Sequence, residues 1–173
     1  MKKGLKILLL IIGLIIIVTA LFLLYPTINV KHEINDFNLS FKLPKHYKKI
    51  DAEENIVKYS SQRTGVNIEV YSFEKSFLSE VGTTEKLENY VSLLKAVKYD
   101  SVLQNEERQM IEISEMICAK VSVEVKTLER INKEVTIIIP KEKDVIFTIY
   151  GTKDVMNKYE NEIEKIIGSI KIK

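Results

Sequence analysis

The chain opens with an uninterrupted apolar run. Residues 7–25 read ILLLIIGLIIIVTALFLLY and carry no charged side chain. At about 1.5 Å per helical residue, the run spans about 28 Å, which is close to the roughly 30 Å hydrocarbon core of a bilayer. A helix packed on the core of a small domain would instead have a polar face. The pattern therefore predicts a transmembrane helix over 7–25 that contacts the lipid bilayer.

The charges beside this run predict its orientation. Three lysines lie within residues 1–6, whereas residues 26–36 offer only Lys31 as a fixed positive charge. Positively charged flanks of a membrane span are retained in the cytoplasm. We therefore expect a single-pass signal-anchor in the cell membrane, with residues 1–6 cytoplasmic and the C-terminal domain outside.

A cleaved signal peptide is the alternative to an anchor. A charged start before an apolar run also begins a secretory signal, and Val18-Thr19-Ala20 has the small residues that a signal peptidase accepts. The apolar run nevertheless continues past Ala20 and exceeds the signal core of roughly 7 to 15 residues, which favours an uncleaved anchor. Lipidation at the end of a signal needs a cysteine there, and the only cysteine is Cys118.

The pattern changes after the apolar run. Residues 26–36 mix polar and apolar positions without a clear period and are predicted to be a tether between the membrane and a domain at 37–173. From Phe37 the period is two until Pro44 stops the run. This alternation predicts a strand with one buried face, formed by Phe37, Leu39, Phe41 and Leu43.

The middle of the chain predicts a hairpin and a helix. Residues 44–49 form a basic, aromatic turn, and residues 55–60 and 66–73 are strands joined by a loop that contains Gly65. Residues 84–95 have apolar side chains at the i, i+3, i+4, i+7 spacing of one helical face, which is typical of a helix packed on a sheet. The apolar stripe of this helix consists of Leu87, Tyr90, Val91 and Leu94.

Strands dominate the second half. Short polar connections make consecutive strands antiparallel neighbours. The segments 135–139 and 145–150 hardly alternate, and a strand that is apolar on both sides must be covered on both sides. The four predicted strands are 102–113, 116–126, 134–139 and 145–151.

The last residues predict one of the covering elements. Thr152 is placed to cap a helix that continues to about Ile167, with its apolar positions on one face, and Gly168 ends it. The segment 169–173 alternates again and is predicted to add to the edge of a sheet.

Composition and charge narrow the class of protein. The 148 residues after the apolar run suffice for one domain with its own core. Three of the 26 basic residues precede the run, which leaves 23 basic against 24 acidic residues in the domain. A near-neutral domain argues against nucleic acid as a partner. Cys118 cannot form an internal disulfide, and its apolar strand predicts a buried thiol.

No catalytic, metal-ligating or cofactor-binding residues are predicted, and no cofactor is expected. The chain has no recognisable nucleophile motif or glycine-rich phosphate loop. His32 beside Glu33 could ligate a metal, but His46 is not at a ligand spacing, so His32 is interpreted as a solvated residue of the tether. Adjacent carboxylates could bind a cation but are typical of solvated surface, an interpretation that we apply to Glu53-Glu54 and Glu106-Glu107.

The two ends of the domain resemble a known family. FNLSFKLP at 37–44 and IEKIIGSIKI at 163–172 resemble the ends of the PsbP-like domain, found in the photosystem II extrinsic subunit PsbP and its bacterial relatives. Relatives often follow the opening proline with glycine and tryptophan, whereas this chain has Lys45, His46 and Tyr47. The resemblance implies an α+β fold in which an antiparallel sheet lies between helices, an α/β/α sandwich, and a non-enzymatic accessory or binding role. No ligand residues of the family can be matched, and none are carried over.

Two functions are consistent with these observations. The first is a membrane-anchored extracytoplasmic binding or assembly module, non-catalytic, with a protein partner. The alternative is a metal-dependent or hydrolytic enzyme of the cell envelope.

Overall fold

The computed structural model describes residues 10–20, 29–53, 55–72 and 102–173, together with four isolated helical residues. Residues 10–20 are helical, and their large apolar side chains are exposed. In the described part of the chain, no helix is both long and apolar enough to cross a bilayer. The transmembrane helix over 7–25 stays a prediction, because the structure describes only residues 10–20 of this range. The four isolated residues are Glu85, Glu88, Asn89 and Ser92.

Within the described residues, ten strands form two antiparallel sheets, which confirms an α+β fold built on antiparallel pairing. The larger sheet has the order β3-β4-β5-β9-β8-β7-β6, and the smaller has the order β1-β2-β10. The strands are β1 (Asn29–Ile34), β2 (Leu39–Pro44), β3 (Tyr47–Glu53), β4 (Ile56–Ser61), β5 (Asn67–Ser72), β6 (Val102–Ile113), β7 (Met116–Lys126), β8 (Ile131–Ile139), β9 (Val145–Thr152) and β10 (Lys171–Ile172).

Most of the predicted strand pairs are present. β4 and β5 form the predicted hairpin, and Gly65 in its loop has a φ of +78°, a conformation that glycine adopts without steric cost. β6 to β9 follow one another as antiparallel neighbours, as their short connections predict. β10 pairs with β2 and forms an edge of the small sheet, which confirms the predicted edge strand.

Two predictions in the first half are wrong. Residues 29–34, assigned to the tether, form β1 and pair with β2 from Asn29 opposite Pro44 to Ile34 opposite Leu39. β1 is an edge strand on which only Ile34 is buried, so its sequence has no clean period. The predicted turn at 44–49 is confined to Lys45 and His46, because β3 begins at Tyr47.

The C-terminal helix is interrupted. α1 (Lys153–Lys158) and α2 (Glu160–Ile167) are separated at Tyr159, where φ is −106° and ψ is 19°. Thr152 stands at the predicted N-cap position, but its side chain makes no capping hydrogen bond. Gly168 ends α2 as predicted, and its N–H donates to the Glu164 carbonyl over 2.8 Å.

The helix predicted at 84–95 is described at four residues only, and all four are helical. Its apolar stripe lies outside the described residues. The packing of this stripe on the sheet therefore stays a prediction.

The large sheet is buried on both faces where the sequence stops alternating. On β9, Phe147 belongs to one apolar cluster and Ile146 belongs to a second cluster on the opposite face. The first face is covered by β2 and by α2, so the layer on this face contains a second sheet as well as a helix. Phe41 of β2 meets Phe147 edge to face, with 5.0 Å between the ring centroids.

Cys118 lies in the first apolar cluster and is fully buried, which confirms its predicted place in the core. Burial raises the pKa of its thiol to about 11. A neutral, buried thiol acts as a small apolar side chain.

Candidate functional site

A cleft of about 680 Å³ lies beside α2, within the size range of ligand pockets. Its wall runs from Asn29, the first residue of β1, past the end of β2 and the β4–β5 loop to α2 and Ser169. The strands that bring these segments together are distant in sequence, so the cleft is a product of the tertiary fold.

Ser169 fixes one wall of the cleft. Its hydroxyl donates to the Ile166 carbonyl at the end of α2 over 2.7 Å and accepts from the Lys42 N–H of β2 over 2.8 Å. The turn after α2 is thereby held against β2. The Lys42 side chain, which is exposed, lines the cleft next to this contact.

Positive charge dominates the cleft. Among the described residues that line it, Glu162 is the one acidic side chain, against the basic side chains of Lys42, Arg63, Lys158 and Lys165. The Lys158 ammonium lies 5.4 Å from the centre of the Tyr159 ring, a cation–π contact. No ion pair within the described part of the chain involves any of these four basic residues.

Glu162 is held by its neighbours. Its Oε1 accepts from the Tyr47 hydroxyl over 3.0 Å, and its Oε2 lies 3.4 Å from His46 Nε2. Burial raises the pKa of Tyr47 well above its ordinary value, and the negative charge of the Glu162 carboxylate is the second largest cause of this shift. Tyr47 therefore remains a neutral donor. Glu162 is thus occupied by protein donors and offsets only part of the positive charge.

His46 contacts Ser61 through its other ring nitrogen, so the side chains of Ser61, His46 and Glu162 are connected in a row. His46 Nδ1 lies 2.8 Å from Ser61 Oγ, and the same oxygen accepts from the Thr64 N–H over 3.1 Å. These residue types serve as nucleophile, base and orienting acid in hydrolases. Ser61, however, is fully buried, and it is not among the residues that line the cleft. The series therefore links the β4–β5 loop to α2 and does not present a hydroxyl to a substrate.

Sequence reasoning did not identify this group. His46 and Glu162 stand far apart in the chain, and no local motif connects them. The resemblance of residues 37–44 to the opening of a PsbP-like domain drew attention to His46 only as a departure from the family pattern. Tertiary contacts bring the two residues together, among them the hydrogen bonds from Tyr47 to Glu162 and from Lys42 to Ser169.

His32 lies away from the cleft, and its interpretation as a solvated residue is wrong. Its ring is half-buried, stacks on Phe41 at 6.0 Å between centroids and meets Tyr59 edge to face at 5.0 Å. Burial lowers the pKa of His32 below its ordinary value, and the positive charge of Lys49 is the smaller second cause. The ring packs here because residues 29–34 are a strand of the domain.

The carboxylates considered as candidate cation ligands form ion pairs at the surface, where the structure describes them. Glu33 pairs with Lys173 over 2.7 Å and with Lys31, which lowers its pKa to about 2. Glu106 pairs with Arg108. The side chains of Glu53 and Glu54 lie outside the described part. Within that part, no group of three or more histidine, cysteine or acidic side chains could hold a metal ion.

We expect acid to destabilise the domain partly through His32. Because its folded pKa lies below that of the unfolded chain, about 6.5, the unfolded state takes up this proton first as the pH falls. The free energy of unfolding of wild type should therefore fall relative to that of His32→Phe between about pH 7 and pH 5. Urea unfolding of residues 27–173 at a series of pH values measures the difference. A difference that is independent of pH would contradict the assignment.

The comparisons with known proteins concern the fold. The sequence matches no family model and no curated protein. The structure is similar to the solution structure of cyanobacterial PsbP (CyanoP) from Synechocystis sp. PCC 6803, with a TM-score of 0.66, 10% identity, and coverage of 84% of this chain and 92% of that chain. It is also similar to a protein of unknown function from Pseudomonas aeruginosa, with a TM-score of 0.53, 13% identity, and coverage of 80% and 93%.

Identity at this level is informative about fold alone. The similarity covers most of both chains. The chain has the PsbP-like fold.

Proposed function

We propose that the chain is a non-catalytic binding module on the outer face of the cell membrane, anchored by residues 7–25 with its N-terminus in the cytoplasm. The apolar run and its lysine-rich flank support the anchor and its orientation. The PsbP-like fold is consistent with a module of this kind. The binding surface in this proposal is the basic cleft beside α2.

The charge of the cleft is the observation that carries the proposal. Four basic side chains converge on a concave site whose one described carboxylate, on Glu162, is already bound by Tyr47 and His46. A concave site with an excess of one charge concentrates ligands of the opposite charge. The module therefore binds an anionic group, and a protein partner at this site would present acidic side chains.

The alternative function is a hydrolytic enzyme of the cell envelope. The contact of His46 with Ser61 is the observation in favour of an enzyme. Ser61 is buried, however, and its hydroxyl has no access to the cleft. We expect the purified full chain not to hydrolyse generic ester or phosphate substrates above background. Hydrolysis that is lost in Ser61→Ala would instead support the enzyme.

Site-specific photo-cross-linking in intact cells tests the binding surface. A photoreactive residue at Asn161, which is exposed on the wall of the cleft, should give a discrete adduct, and charge reversal by Arg63→Glu should reduce that adduct. The matched control is the same residue at Glu142, which is exposed far from the cleft. Adducts of equal yield at Asn161 and Glu142, or an Asn161 adduct that is insensitive to Arg63→Glu, would contradict a role for the cleft.

A further inference from the structure

The cleft lies at the end of the domain where the chain enters it. Asn29 is both the first residue of β1 and part of the cleft wall. The apolar run ends at Tyr25, four residues earlier. Four residues reach at most about 14 Å when fully extended. The cleft wall is therefore within about 14 Å of the end of the apolar run.

This distance is comparable with the thickness of the lipid headgroup region. A bilayer core of about 30 Å lies within a total thickness of about 40–45 Å, which leaves roughly 5–8 Å of headgroups on each side. If the proposed anchor ends at the core boundary, Asn29 lies in or just above the headgroups. The only groups guaranteed to be present at that level are those of the lipids themselves.

The chemistry of the cleft suits phosphate. Arg63 offers a planar guanidinium that can donate two parallel hydrogen bonds to a phosphate, and the lysine ammonium groups add point charges. The exposed Asn161 amide adds a neutral donor on the same wall. Tyr159, half-exposed beside Lys158, is a residue type that favours the membrane interface.

The opposite end of the domain lacks this excess of free charge. β1 extends about 17 Å from Asn29 to Ile34, and a second depression of about 540 Å³ lies beyond its far end. The lysines of this depression have partners or acidic neighbours: Lys141 donates to the Phe37 carbonyl over 3.1 Å, Lys173 pairs with Glu33, and Lys143 is next to Glu142. Of these two depressions, the cleft nearest the predicted membrane span therefore holds more basic side chains without an ion pair in the described part of the chain.

We infer that the basic cleft binds the phosphate groups of anionic phospholipid headgroups in the membrane that anchors the chain. This inference rests on the proposed function, because the anchor sets the distance between the cleft and the lipids. Its consequence is that the domain is held against the bilayer in one orientation, with β1 and α2 near the headgroups and the far depression exposed to solvent. The phosphate of a soluble compound is the other source of the same chemistry.

Lysine acetylation of the full chain in lipid nanodiscs tests this inference. Acetylation by a water-soluble reagent, quantified by mass spectrometry, is compared between discs of phosphatidylcholine and discs that also contain phosphatidylglycerol. We expect Lys42, Lys158 and Lys165 to react several-fold more slowly in the anionic discs and Lys143 to react at the same rate in both. Removing one basic residue should weaken binding about fivefold, so Arg63→Gln should largely abolish the protection.

Arg130→Gln is the matched control for Arg63→Gln. Arg130 is also exposed on a loop but does not line the cleft, so its replacement removes the same charge elsewhere and should leave the protection intact. Equal loss of protection in the two variants, or equal protection of Lys143, would show a general attraction of the chain to the surface and would overturn the inference.

A further arm separates the two sources of phosphate. Protection in neutral discs on addition of glycerol phosphate, without protection by anionic lipid, would assign the cleft to a soluble compound and overturn the lipid source. A chain that fails to purify with the discs would overturn the proposed anchor and this inference together. If the chain is bound to the discs and its cleft lysines react at the same rate in both kinds of disc, this inference alone is overturned. In that case, a photo-cross-linked adduct of Asn161 with an acidic protein would identify the partner.

Discussion

Replacing Phe147 by alanine is expected to lower the free energy of unfolding of residues 27–173 by about 3–5 kcal/mol. Phe147 is fully buried in the apolar cluster between the two sheets, and its ring meets Phe41 of the small sheet edge to face. The substitution leaves a cavity between β9 and β2, and close packing around it limits how far the two layers can collapse.

Urea unfolding of residues 27–173 measures this loss. Leu128→Ala is the matched control, because Leu128 is fully exposed and its replacement should change the free energy of unfolding by less than about 0.5 kcal/mol. Cys118→Ser should fall between the two, since it buries a hydroxyl in an apolar cluster at a cost of about 1–3 kcal/mol. An unchanged midpoint for Phe147→Ala, or no cooperative transition in the wild-type fragment, would contradict the packing of the two sheets.

Removal of the apolar run is expected to transfer the protein from the membrane fraction to the soluble fraction. The full chain should pellet with membranes and stay there through a high-salt wash, because an apolar helix of this length inserts almost irreversibly, whereas salt releases proteins held by charge. A chain that begins at Thr27 should be soluble, since two sheets and two helices of its own surround the described core.

N-terminal analysis of the membrane-bound protein distinguishes an anchor from a signal peptide. We expect Met1 or Lys2 at the N-terminus of the mature chain. A mature chain that starts at Leu21 would mean cleavage after Ala20 and would contradict the anchor. A full chain that is released by the salt wash would contradict insertion.

The strands that could be predicted are those whose neighbours are close in sequence. β6 and β7 were predicted to the residue and β9 to within one residue, because short polar links separate apolar runs and leave few other pairings. β8 begins at Ile131, three residues before the predicted start, because its first residues are mostly polar and were assigned to the connection. The lack of alternation in β8 and β9 correctly predicted that both of their faces are buried. Burial on both sides removes the polar positions that would otherwise set the period.

Two edge strands, β1 and β3, were missed for the opposite reason. β1 buries only Ile34, and β3 begins with buried Tyr47 but continues through exposed Lys48, Lys49 and Ile50. Edge strands are often polar and short, which resembles a tether or a turn in sequence. The small sheet could not be anticipated without β1, and it is the part of the covering layer that the sandwich prediction lacked.

The cleft could not be predicted from sequence at all. Its basic residues come from β2, a loop and two helices, and each is an ordinary lysine or arginine in its own segment. The pairing of β10 with β2 and the hydrogen bond between Ser169 and Lys42 hold the end of α2 against β2, and the loop of Arg63 lines the same cleft. A net charge near zero for the whole domain conceals this local excess, because charge averaged over a sequence carries no information about its position.

Reporter fusions measure most directly on which side of the membrane the domain lies. A reporter that is active only outside the cytoplasm is fused after Lys173 in one strain and after Lys6 in a second. We expect activity for the fusion after Lys173 and none for the fusion after Lys6, because the lysines that precede the apolar run hold the N-terminus in the cytoplasm. Activity after Lys6 with none after Lys173 would contradict this orientation.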